Sequence, residues 1–139
     1  MRETVSRPMK IGGHTSAVVQ FFLILILFIP VLATDIAGTW TGTSLCITKD
    51  SPCHDESVIY HITKPDSEGK LKIQADKVVN GRPEDMGTLD CVFDSSNSKL
   101  TCQMKNGSWE FAVTGNKMEG TLRLPDGKLY RRISVTKEK

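Results

Sequence analysis

The chain is 139 residues long, 39% apolar and 24% charged, with 18 Lys and Arg against 16 Asp and Glu. A formal charge of +2 removes the electrostatic case for nucleic acid, which calls for a strong basic surplus. The length suits one domain with one modest core, and no internal repeat or low-complexity tract interrupts it.

Residues 1–33 read as a secretory signal peptide. Arg2, Arg7 and Lys10 form a positive n-region, and Phe21 to Ala33 is an uninterrupted apolar run ending on Val31-Leu32-Ala33, small enough at its first and third positions for a signal peptidase. The run is 13 residues, short of the roughly 20 that a spanning helix needs. An uncleaved anchor is the rival reading, because Ala17, Val18 and Val19 extend the run. Cleavage after Ala33 leaves residues 34–139 as a single domain with 15 basic and 15 acidic side chains, secreted or periplasmic and without a membrane anchor. Residues 34–98 hold 6 bases against 11 acids, and residues 99–139 hold 9 against 4.

Beyond the signal, short runs of period-2 hydrophobicity recur between turn formers, and no segment sustains a 3.6-residue pattern. Eight strands are predicted, over residues 38–48, 56–64, 70–79, 86–94, 99–105, 108–114, 117–124 and 128–136. Pro65-Asp66, Asn80-Gly81, Asn106-Gly107, Gly115-Asn116 and Pro125-Asp126-Gly127 supply the turns between them. Connections this short imply sequential antiparallel pairing. The fold class is therefore all-β: an eight-stranded up-and-down meander that buries its apolar face by closing into a small barrel.

Four cysteines in a small exported domain read as two disulfides. Folding the chain about Ser96-Asn97 sets Cys91 opposite Cys102, Phe93 opposite Leu100 and Leu89 opposite Met104, with both cysteines on one apolar face. Cys46 is left for Cys53. In the chain-entropy view these closures contribute about 2.5 and 2.8 kcal/mol. The stretch Ser44 to Glu56, SLCITKDSPCHDE, fits other chemistries less well. It lacks the second knuckle of a structural zinc site, and its cysteine interval is wrong for covalent haem attachment. No metal and no cofactor is expected.

Two residues break the pattern. Arg131 shares the inward face of the last strand with Leu129, Ile133 and Val135, and Trp40 opens the inward face of the first. A buried guanidinium is costly unless paired or stacked, so Arg131 is expected to lie over Trp40 where first and last strands meet. The segment Ile36 to Gly42, IAGTWTG, resembles the G-x-W opening of the calycin superfamily of lipocalins, avidins and fatty-acid-binding proteins. In those barrels the Trp closes one end beneath an Arg or Lys of the last strand, so the resemblance implies this role for Gly38, Trp40 and Arg131. The AG-x-W start, the disulfide and Arg131-Arg132 also resemble bacterial secreted metalloprotease inhibitors, whose N-terminal trunk is longer than Thr34 to Ala37.

No nucleophile elbow, phosphate loop or metal-ligand constellation occurs, and a non-enzymatic role is expected, with His61 an ordinary surface histidine. The leading expectation is a barrel that binds a small, largely apolar ligand in its interior or at its mouth. Trp40, Ser44, Tyr60, Trp109, Phe111 and Arg131 are the candidate ligand-binding residues, with Met118 beside them. The alternative is a filled barrel that binds a secreted protein partner, or inhibits a protease, through polar loops at 49–56 and 80–86. Asn106-Gly107-Ser108 is also a glycosylation sequon. Exported from a host that processes secretory signals, the protein is expected to begin at Thr34 on N-terminal sequencing. Recovery of an exported chain that still carries residues 1–33 would refute the cleavage assignment.

Overall fold

A computed structural model describes residues 33–48 and 50–139, together with Pro8, Met9 and Gly12. Almost all of the expected signal segment lies outside the described residues. Eight strands and no helix occur among those residues: β1 (Gly38–Cys46), β2 (Glu56–Ile62), β3 (Lys70–Val79), β4 (Arg82–Asp94), β5 (Lys99–Met104), β6 (Gly107–Thr114), β7 (Lys117–Arg123) and β8 (Leu129–Lys137). They pair in sequence order, and β8 returns to β1, so the sheet is a closed antiparallel barrel. The expected meander and its closure are both present.

Alternation sorts the side chains as the period-2 pattern requires. Val58, Tyr60 and Ile62 of β2, Leu71, Ile73 and Ala75 of β3, and Trp109, Phe111 and Val113 of β6 all point into one continuous core. Eight strands enclose a tube that side chains alone can fill, and here aromatic rings do so. Tyr60, Trp109 and Phe111 form a triangle with centroid separations of 5.4, 6.3 and 5.7 Å. Gly120 makes room for this cluster. A Cβ there would sit 2.2 Å from Phe111 Cδ1, so the ring occupies the space that any other residue would need.

Most strands have a limit that differs from expectation by one or two residues, and the start of β4 differs by four. β1 ends at Cys46, although Ile47 N–H still donates to Tyr130 O at 3.0 Å. β4 starts at Arg82 rather than at residue 86, because its first residues pair with β3 from Val79↔Arg82 onward. The expected polar loop over 80–86 is therefore mostly strand, turned at Asn80, which adopts φ 52°. Pro83 is tolerated because β4 pairs with β5 only from Cys91 to Asp94, leaving its first residues on an unpaired edge.

Cys91↔Cys102 and Phe93↔Leu100 are cross-strand partners as expected, but the pairing stops there and no Leu89↔Met104 pair follows. Both disulfides are present, Cys46–Cys53 and Cys91–Cys102. The second sits at the last rung before β4 and β5 separate, in the core, with its cysteines 3% and 0% exposed. Replacing Cys91 and Cys102 together by Ala is expected to cost about 2–4 kcal/mol while leaving the strand circular dichroism intact. A denaturation midpoint equal to that of the parent protein would show that this staple contributes nothing.

Candidate functional site

The barrel has two unlike ends. At one, the strap before β1 crosses the opening and Ile36 is 1% exposed. Trp40, 0% exposed, donates its indole N–H to Ile36 O at 2.9 Å. Trp40 is paired with Lys137 across the seam. Lys137 Nζ donates to Asp35 O at 2.8 Å and faces the Asp35 carboxylate at 3.3 Å. This end is plugged.

Arg131 lies at the other end. It is paired with Cys46, six residues along β1 from Trp40, or roughly 20 Å at strand spacing. The expected stack of Arg131 on Trp40 therefore does not form, and the cation set against Trp40 in the last strand is Lys137. Arg131 does point inward, as expected, with 12% of its side chain exposed. Its Nη1 donates to His54 O at 3.0 Å and to Ser44 O and Oγ at 3.3 Å, and lies 3.2 Å from Glu56 Oε2. Tyr130 supplies the nearby ring instead, with the guanidinium carbon 5.7 Å from its centroid.

The stretch from Ser44 to Glu56 builds this mouth. The Cys46–Cys53 bridge brings the chain back on itself, and Cys46 N–H donates to Asp55 Oδ1 at 2.8 Å. These ties hold His54 O and Glu56 against Arg131. Beneath them lies the aromatic floor. Burial raises the pKa of the Tyr60 phenol, the Glu56 carboxylate adds to the rise, and Arg131 opposes it. Tyr60 thus stays a neutral hydroxyl in the field of the ion pair. Beside it Trp109 is 8% exposed, and its buried indole N–H has no acceptor among the described residues. A buried donor without a partner is uncommon and calls for an explanation.

Of the six expected ligand-binding residues, the mouth brings together Arg131, Ser44, Tyr60 and Trp109. Phe111 belongs to the floor cluster, and Trp40, although the cross-strand partner of Tyr60, lies toward the plugged end, six residues along β1 from the partner of Arg131. Glu56 was not assigned to a site, though it shares the inward parity of Val58 and Tyr60 and was legible on that ground. Asp76 was also missed. It is 7% exposed, beside the register shift that leaves Met86 of β4 unpaired, and meets His61 Nε2 at 3.4 Å. His61 itself lies on the outer face, its other nitrogen 3.3 Å from Thr39 Oγ1.

No cluster of three or more metal-ligating side chains occurs among the described residues. No family model matches the chain, and no curated protein matches it. The closed eight-stranded antiparallel barrel is the level of likeness that the fold itself supports.

Arg131 and Arg132 are neighbours with opposite surroundings, which makes them a matched pair for mutation. Arg131→Ala strips Glu56 and Ser44 of their partner, and a loss of about 2–3 kcal/mol is expected. Arg132 is exposed, and Arg132→Ala is expected to cost under about 0.5 kcal/mol. Equal, small losses in urea unfolding would refute the inward pairing of Arg131.

Proposed function

We propose that this is a secreted or periplasmic, non-enzymatic binding barrel of calycin-like kind, taking a small, largely apolar ligand at the Arg131 mouth. The observation that carries this reading is the unpartnered indole N–H of Trp109 in the aromatic floor next to Tyr60. Arg131 adds to it. Among the described residues all of its hydrogen bonds and its ion pair use Nη1, which leaves the three N–H donors of Nε and Nη2. A ligand that sets an apolar body against Trp109, 8% exposed, and offers a carboxylate or carbonyl to these donors matches that arrangement. The two disulfides are compatible with an oxidising compartment.

The packed core favours a ligand at the mouth over one deep in the tube. It also favours a second reading, a protein partner on the outer wall. Leu45 and Ile47 are 45% and 40% exposed there. A depression of about 640 Å³ runs from Leu45 past Arg132 and Thr121 to Ala112.

The test uses 8-anilinonaphthalene-1-sulfonate, an apolar aromatic anion. The parent protein is expected to bind it in the range of about 1–100 μM, a modest affinity, with quenching of tryptophan emission. Arg131→Gln is expected to weaken it at least about tenfold, near 1.4 kcal/mol, while circular dichroism confirms a folded barrel. No binding by the parent protein, or equal binding by the variant, would overturn the mouth as the ligand site.

A further inference from the structure

The two disulfides differ in access, and only one of them touches the mouth. Cys91 and Cys102 are core residues, 3% and 0% exposed. Cys46 and Cys53 are both half-buried at the rim, where a reagent can reach them. Exchange requires attack by a thiolate on one sulfur and departure of the other, so access and stabilisation of the leaving thiolate set its rate.

The surroundings of the rim bridge favour its opening. Cys46 is the cross-strand partner of Arg131 on the inward face of β1, and the guanidinium donates to Ser44 two residues before it. Cys53 precedes His54, whose carbonyl accepts from the same Nη1 at 3.0 Å. A thiolate released at either cysteine therefore forms near a fixed positive charge, which favours its departure.

We infer that Cys46–Cys53 is a thiol-exchange site for a dithiol reductant, and that Cys91–Cys102 is a structural staple. A donor thiolate attacks one sulfur of the bridge, the Cys46–Cys53 bond breaks, and the other cysteine departs as the thiolate. The donor's second thiol, deprotonated, then attacks the donor's own sulfur in the mixed disulfide and expels the attached cysteine as a thiolate. The donor leaves as a disulfide, having supplied two electrons, and both cysteines take protons from water.

Opening the bridge also loosens the mouth. His54 and Glu56 are held against Arg131 partly because Cys53 is tied to Cys46, with Cys46 N–H to Asp55 Oδ1 as the remaining tie. The effect on a bound ligand rests on the Arg131 mouth being the ligand site. The exchange chemistry does not.

The experiment separates these two parts. The folded full-length protein is treated with limiting dithiothreitol, quenched with N-ethylmaleimide and mapped by mass spectrometry. Labelling of Cys46 and Cys53 is expected at least tenfold faster than labelling of Cys91 and Cys102. Equal rates, or no labelling before denaturant is added, would overturn the exchange site. Limiting glutathione, a monothiol, is expected to leave a mixed disulfide on Cys46 or Cys53, and an adduct mainly on Cys91 or Cys102 would overturn the exchange site. The selectively opened, alkylated protein is then titrated with 8-anilinonaphthalene-1-sulfonate. An affinity shifted at least threefold from that of the intact protein supports the coupling. An unchanged affinity removes the link to the mouth and leaves the exchange site standing.

Discussion

Closure of β1 onto β8 is the constraint on which the rest of the molecule depends. An open eight-stranded meander would leave two unpaired edges and an apolar face facing water. Pairing of Trp40 through Cys46 with Lys137 through Arg131 removes both problems at once. The approach of the two strands is unusually close at Gly42, where a Cβ would lie 2.0 Å from Ser134 O and 2.8 Å from Val135 Cα. Any side chain there would wedge the seam apart. The same seam decides where the inward guanidinium of Arg131 falls.

Filling the tube with rings has a chemical consequence. The apolar core is continuous from Trp40 to the Tyr60–Trp109–Phe111 cluster, and polar chemistry is displaced to the rim. There a carboxylate, a hydroxyl and two main-chain carbonyls converge within 3.3 Å of one guanidinium nitrogen. Leaving Arg131 alone in such a place would be costly. Its position is tolerable because the disulfide-closed stretch folds back to supply partners. The cysteines that appeared to be a simple staple in the sequence are therefore part of how the site is built.

Local pairing was legible in the sequence and long-range register was not. The Cys91–Cys102 and Phe93–Leu100 pairs followed from one turn position, because a tight hairpin fixes its own register. The inward parity of Tyr60, Trp109, Phe111 and Arg131 followed from alternation alone. No turn links β1 to β8, however. Their offset is set by the stagger of the whole closed sheet, and the expected meeting of Arg131 with Trp40 missed by six residues. The early start of β4 was hidden for another reason. Arg82 to Asp85 carry no apolar alternation, and they are strand only because β3 continues beside them. The register shift beside Asp76 falls next to Gly87, a glycine inside a strand, which is itself a signal for a bulge.

The division of charge along the chain acquires a meaning in three dimensions. Residues 34–98, with 6 bases and 11 acids, end where β4 gives way to β5, and residues 99–139 carry 9 bases and 4 acids. In a closed barrel these halves are opposite walls. At physiological ionic strength a charge is felt over roughly 8 Å, so a neighbour in contact with one wall is largely screened from the other. A domain with no net formal charge over residues 34–139 is thus an acid to whatever meets β2 to β4 and a base to whatever meets β5 to β8.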